Sequence, residues 1–233
     1  MPDPSTIGNA AQLRLHLETL KRLRGVALGG RVPRIEEVKQ WQSERLQRSY
    51  RDLSSIARYK EATSFFMEDL YGTKDFSGRD EAMMRIHPLL TRMLPESAVE
   101  TAALAIELDA LSESLDQRLA RALAPGPITV ASDAQAYRES STPKEREHQI
   151  ALIEAVGERL DRLVNKPMVF QMLKLMHTPA KLAGLSDLQT FLEHGFNSFR
   201  SMGGAGDFLA TIAGRERAIS SRLFSSRPDP FSI

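Results

Sequence analysis

Cysteine is absent from the 233 residues. Its absence excludes a disulfide framework, a thiolate nucleophile and a thiolate metal site, and suits a reducing cytosol. Aromatic residues make up 6% of the chain, with a single tryptophan, and no RNA-binding aromatic motif is found. No apolar run approaches the roughly 18–20 residues that span a bilayer, so membrane insertion is not expected. The start, Met1-Pro2-Asp3-Pro4-Ser5, lacks the basic stretch and apolar core of a signal peptide, and a cytoplasmic protein is expected. Missing too are the phosphate-binding G-x-x-x-x-G-K-[ST], G-x-S-x-G and H-E-x-x-H patterns. The cluster Gly203, Gly204 and Gly206 does not follow a strand-like run, so it does not read as a phosphate cradle. No catalytic residue, cofactor or metal is expected from motifs.

What is present is the composition of a folded domain, 42% hydrophobic and 26% charged, in a length that suits one unit over residues 1–233. The net charge of +1 conceals a segregation: residues 1–60 carry 12 Lys or Arg against 6 Asp or Glu, and residues 61–124 carry 6 against 12. A basic first quarter could meet nucleic acid. Interleaving of its cations with Glu36, Glu37, Glu44 and Asp52 favours instead a basic and an acidic segment that pack as neighbours, and a nucleic-acid partner is not expected.

Helical periodicity runs through nearly the whole chain. Leu13, Leu17 and Leu20 mark an amphipathic helix over 9–28, stopped by Gly29 and Gly30. A long stretch from Pro33 to Tyr71 exceeds the usual helix length, and a break is expected near Ser54 and Ser55. Pro88 should kink or divide the helix that carries Met83, Ile86 and Leu90. Pro95 and Glu96 open a helix to about Leu123. Residues 124–141 read as a linker or excursion with some strand-like content, the junction between two sets of helices. Thr142-Pro143-Lys144-Glu145 is a capping box with proline at the first helical position, and Ser186-Asp187-Leu188-Gln189 repeats the signature. The run from Pro167 to Met176 is apolar nearly all round, which predicts a buried helix. The fold class expected is all-α, an irregular bundle of about eight or nine helices, divisible into two subbundles.

Candidate chemistry comes from ionisable groups with apolar neighbours at helical spacing. Asp69 has Phe65 and Phe66, His87 has Met83, Met84 and Leu90, and Glu107 has Ala103, Leu104, Ala110 and Leu111. Burial would oblige each to find a partner, with Arg58, Arg85, Tyr59 and Tyr71 near in sequence. One arrangement brings Asp69, His87 and Glu107 into a polar pocket; the plainer one satisfies each separately by an Arg, a Tyr or a backbone group. Met172, Met176, His177, Phe191, His194 and Phe199 could line a second pocket, although methionine and phenylalanine at this spacing more often form plain core. Glu145 and His148 have the E-x-x-H spacing of a di-iron half-site, but it occurs once and Glu145 already serves the capping box.

The segment Phe65 to Gly72, followed by Asp75, Phe76, Ser77, Arg79 and Asp80, and the later Leu192-Glu193-His194-Gly195-Phe196, resembles a family of bacterial helical proteins with no assigned activity. The resemblance spans about residues 35–224. It implies a bacterial cytoplasmic origin and carries no functional residue with it. The function expected is therefore a non-enzymatic protein-interaction or regulatory module, self-associating as a homodimer through apolar residues on its long helices. The alternative is a binder of a small molecule or cofactor in a pocket between helices. Asp69, Tyr71, His87, Glu107, Met172, His177 and His194 are the candidate ligand contacts.

Overall fold

The computed structural model of the chain describes residues 8–29, 32–67 and 77–232. Among them the fold is all-α, with eleven helices: α1 Asn9–Gly29, α2 Ile35–Ser49, α3 Arg51–Ser55, α4 Lys60–Phe65, α5 Ser77–Met93, α6 Glu96–Ala122, α7 Val130–Ser140, α8 Pro143–Val164, α9 Pro167–Leu182, α10 Ser186–Met202 and α11 Gly206–Phe224.

The 27 residues of α6, about 40 Å of helix, run through the middle of the bundle. Five helices pack on it: α1, α2, α5, α7 and α8. Its broad apolar surface is explained by this number of neighbours, with Val99, Ala103, Ile106 and Ala110 facing one cluster and Leu119, Ala120 and Leu123 another. The basic α1 lies along the acidic α6. Arg24 reaches Asp109 at 2.8 Å and Glu113 at 3.6 Å, and Lys39 of α2 reaches Glu113 at 3.1 Å. Burial alone would raise the Glu113 carboxyl, but Lys39, Gln117 and Arg24 outweigh it and hold it below its ordinary range.

The apolar side chains gather in three clusters. One joins α1, α5 and α6 through Leu13, Leu17, Leu20, Met83 and Ile106. A second, rich in aromatic residues, is built by Tyr50, Leu53, Ala62, Ile153, Phe199 and Phe208. The third joins α2, α6, α7 and α11 through Val38, Leu119, Tyr137, Ile219 and Leu223.

Several local expectations need correction. The stretch after Pro33 breaks after Ser55 as expected, where Ile56 is extended, but α2 also gives way to α3 at Tyr50, so that three helices form rather than two. Residues 130–140, expected to lie in a linker with strand-like content, form α7. A capping box starts it, with Thr129 Oγ1 accepting from Ser132 N–H at 3.2 Å and Ser132 Oγ accepting from Thr129 N–H at 2.9 Å. These two changes account for the count above eight or nine.

The box at Thr142 forms as expected, Glu145 N–H donating to Thr142 Oγ1 at 3.3 Å and Thr142 N–H to Glu145 Oε2 at 2.8 Å. The one at Ser186 does not. Leu185 is the residue before the helix, and its carbonyl takes the Gln189 N–H that Ser186 would have capped. Helix α5 continues through Pro88 undivided, at the loss of one N–H donor.

Helix α9 is also not buried all round. Its buried residue is Ala180, whereas Met168 is 55%, Leu175 76% and Leu182 85% exposed. Among the described residues α8 and α10 are the helices that mainly pack against it, so Val169, Phe170 and Leu173 find cover while Met168, Leu175 and Leu182 stay exposed. An apolar run states how much oily surface a helix carries, not how many neighbours reach it.

Candidate functional site

The sequence-predicted residues are distributed among separate sites. Asp69 and Tyr71 lie outside the described residues. His87 Nε2 is 2.8 Å from the carbonyl of Ala10, and Glu107 lies 3.1 Å from His148 Nε2 and 3.7 Å from His16 Nε2. The α1 contacts of His87 and Glu107, Ala10 and His16, are six residues apart, about 9 Å along the helix. Burial lowers the His16 imidazole below its ordinary value, against the pull of Glu107. Arg58 does not join them: it donates to the carbonyls of Met202 at 2.5 Å and Gly204 at 2.8 Å, closing the C-terminus of α10. Glu145 is held at both oxygens, by Thr142 and by Arg118 at 2.8 Å.

In the second candidate set, His177 Nδ1 lies 2.9 Å from Glu193 Oε1, which also accepts from Gln189 at 2.8 Å. The two line an open groove of about 410 Å³ between α9 and α10, with Phe170, Lys174 and Phe196. His194 stands edge-on to Phe65 at 5.5 Å, beside Phe191 at 5.4 Å from the same ring. Met172 is half-buried.

A different cavity, of about 100 Å³, is lined by charged and phenolic side chains from several helices. Each of its helices contributes by the geometry already described. From α2 come Arg45 and, at the C-cap, Tyr50; from α6, Ser112 and Asp116; from α7, Asp133 and Tyr137; from α8, Arg146, Gln149, Ile150 and Ile153; from α11, Phe208, Ile212, Glu216 and Ile219. Leu46, Leu53, Phe66 and Met67 extend the apolar wall.

At one edge Glu216 accepts from Arg45 and from the Tyr50 hydroxyl, each at 2.5 Å. Burial alone would loosen the Arg45 proton, but Glu216 outweighs it and the guanidinium holds its charge more firmly than usual. Burial, reinforced by the Glu216 charge, pushes the Tyr50 phenol well above its ordinary range, so it stays protonated.

Opposite this pair lies Arg146, 7% exposed. It donates to Ser141 Oγ and Gln149 Oε1, both at 3.1 Å, and stacks 4.1 Å from the centre of the Tyr137 ring. Its Nη2 makes no hydrogen bond. Asp133, 1% exposed, likewise has an unbonded Oδ1. Burial raises its carboxyl, with the neighbouring Trp41 indole N–H, Arg45 and Arg146 opposing the rise. Asp116, in the second-to-last turn of α6, meets no hydrogen-bond or ion-pair partner among the described residues. Burial pushes it up to about 7, with Arg146 and Lys39 opposing and Glu113 and Asp133 reinforcing the rise.

None of these residues was singled out from the sequence, although a signal was there. Arg146 continues the stripe of Ile150 and Ile153, and Glu216 sits within that of Ile212, Ile219 and Leu223: a charge on the apolar face of a helix is a charge that folding will bury. Asp133 has Ala136 and Tyr137 three and four residues on, a pattern with meaning once residues 130–140 are helical.

The set offers two guanidinium groups, three carboxyls and two phenols around a small void with an apolar wall. Such a site can hold and orient a compact polar ligand, and Asp116 can take up or release a proton near neutral pH. Among the described residues no cluster of three or more His, Asp or Glu could hold a metal ion, and no helix is long and apolar enough to cross a membrane.

No curated protein and no solved structure matches this chain. A family model does, over residues 30–230, a span that takes in every residue of the cavity except Phe231. The chain belongs to the family of the domain of unknown function DUF8198.

Proposed function

We infer that this protein binds a small molecule in the cavity between α2, α6, α7, α8 and α11. The observation that carries the reading is a pair of nearly inaccessible side chains that line the void, Asp133 and Arg146, of which Oδ1 and Nη2 make no hydrogen bond. A buried polar atom left unpaired costs about 1–3 kcal/mol, more for a charged one, so each calls for a partner from outside the chain. The apolar wall of Leu46, Leu53, Ile153 and Phe208 offers nothing to hydrogen-bond water and suits the hydrocarbon part of a ligand. Native mass spectrometry of the full chain, followed by denaturation, tests this. A bound small molecule, released on unfolding and lost in Ile153→Trp, which fills the void, is the expected result. A ligand-free mass, with crystallographic density for water alone in the void, overturns it.

A protein-interaction role is supported by a separate observation. Met168, Leu175 and Leu182 stand exposed at intervals of seven residues, on a helix whose charged residues are Lys174 and Lys181. Such a stripe suits a second copy packed helix against helix. Sedimentation of the wild type against Leu175→Glu/Leu182→Glu should show a dimer converted to monomer. A monomeric wild type at high micromolar concentration removes this reading.

A further inference from the structure

Five side chains that border the cavity carry charge: Arg45, Arg146, Asp116, Asp133 and Glu216. Arg45 and Glu216 neutralise each other at 2.5 Å. One guanidinium then faces two carboxyls, and Arg146 spends its bonded N–H groups on Ser141 and Gln149 instead of on either of them. In a poorly polarisable interior the net charge of a void outweighs vacant hydrogen bonds, because a water molecule can fill a vacancy but cannot cancel a charge. The void is short of one positive charge, or holds a proton in its place.

Resting on the reading that this cavity binds a ligand, we propose that its occupant is a small primary ammonium, its head between Asp116 and Asp133 and its hydrocarbon against Leu46, Leu53, Ile153 and Phe208. An ammonium carries three N–H donors; Asp133 Oδ1 is a buried acceptor without a hydrogen bond, and the Asp116 carboxyl lines the same cavity. A carboxylate occupant would double the excess of negative charge, and a neutral one would leave it. Size limits the tail. A cavity of about 150 Å³ accommodates benzene, so the void of about 100 Å³ suits about four heavy atoms, a nitrogen on three carbons.

Protons compete for the same place. Asp116 faces Lys39 from α2, Glu113 on its own helix, Asp133 from α7 and Arg146 from α8, and with burial these leave its carboxyl at about 7. Below that pH the ammonium must displace a proton from Asp116. Affinity therefore falls about tenfold for each pH unit below 7 and levels off above it.

The test is titration of the full chain with propylammonium, propan-1-ol and propionate, read by calorimetry and by NMR shifts of cavity methyl groups at pH 8 and pH 6. Propylammonium should bind at pH 8 with an affinity at least tenfold above that of either analogue, and lose about tenfold at pH 6. Asp116→Asn should abolish the pH dependence and weaken binding at least tenfold, and Asp133→Asn should weaken it similarly. Glu139→Gln, an exposed carboxyl on α7, should change nothing. Preferential binding of propanol or propionate in the void would overturn the ammonium assignment while leaving a ligand-binding cavity. Failure of all three to shift any cavity methyl would overturn both.

Discussion

Leu209 of α11 packs its isobutyl group onto the bare backbone of Gly157 on α8. A Cβ at position 157 would stand 2.3 Å from Leu209 Cδ2 and 3.1 Å from Cγ. Glycine here is a packing requirement, since it lets α8 and α11 close on each other behind the aromatic cluster. Leu209 is 4% exposed and has little room to turn aside. In Gly157→Ala, overpacking of about 1–3 kcal/mol should outweigh a helix-propensity gain of roughly 1 kcal/mol. Chemical denaturation should show a net loss of up to about 2 kcal/mol. In a Leu209→Ala background the same substitution should stabilise, and failure of the sign to reverse would show that the contact is not the cause.

Asp116 gives the stability a slope in pH. Its folded carboxyl titrates near 7 against an ordinary 3.8, so between those values the folded chain holds a proton that the unfolded chain has released. Stability from this group therefore falls as pH rises from about 4 to about 7 and is level above that. Asp116→Asn removes the slope and should stabilise the protein at pH 8 by up to about 4 kcal/mol relative to wild type. Parallel stability curves for the two proteins between pH 5 and pH 8 would contradict it.

His16 should act in the opposite sense. Its imidazole is lowered by burial, so the unfolded chain takes up a proton sooner as pH falls. The contribution is intact above the ordinary value of 6.5 and is lost as pH drops from there toward the lowered folded value. Melting temperatures of wild type and His16→Asn should converge on acidification through that range. A gap that widens toward low pH would refute the assignment.

Two sites with the same sequence signature should answer differently to alanine. Thr142→Ala removes a cap that is formed and should cost about 1 kcal/mol. Ser186→Ala removes none, because Leu185 precedes the helix there, and should stay within about 0.5 kcal/mol of wild type. Denaturant midpoints measured side by side decide the matter, and equal losses would show that Ser186 caps α10 after all.

The sequence by itself determined the helical class, the extent of α1 and α6, the proline-started capping box of α8 and the pairing of a basic with an acidic segment. Each of these rests on contacts within a few residues or on charge summed over a long stretch, and both survive without knowledge of the partner. It pointed to Phe65, now seen with its ring against Gly195, where a Cβ would come within 2.7 Å, and to His87 and Glu107 as polar groups in need of partners. What only the tertiary structure decided was which polar groups share a space. Arg45, Asp116, Asp133, Arg146 and Glu216 come from five helices spread over 172 positions of the chain, from 45 to 216. Helical periodicity shows that a charge falls on an apolar face; it carries no information about which other helix will face it. The same limit explains α9, whose apolar residues were legible one by one while the absence of packing over Met168, Leu175 and Leu182 depends on where its neighbours end.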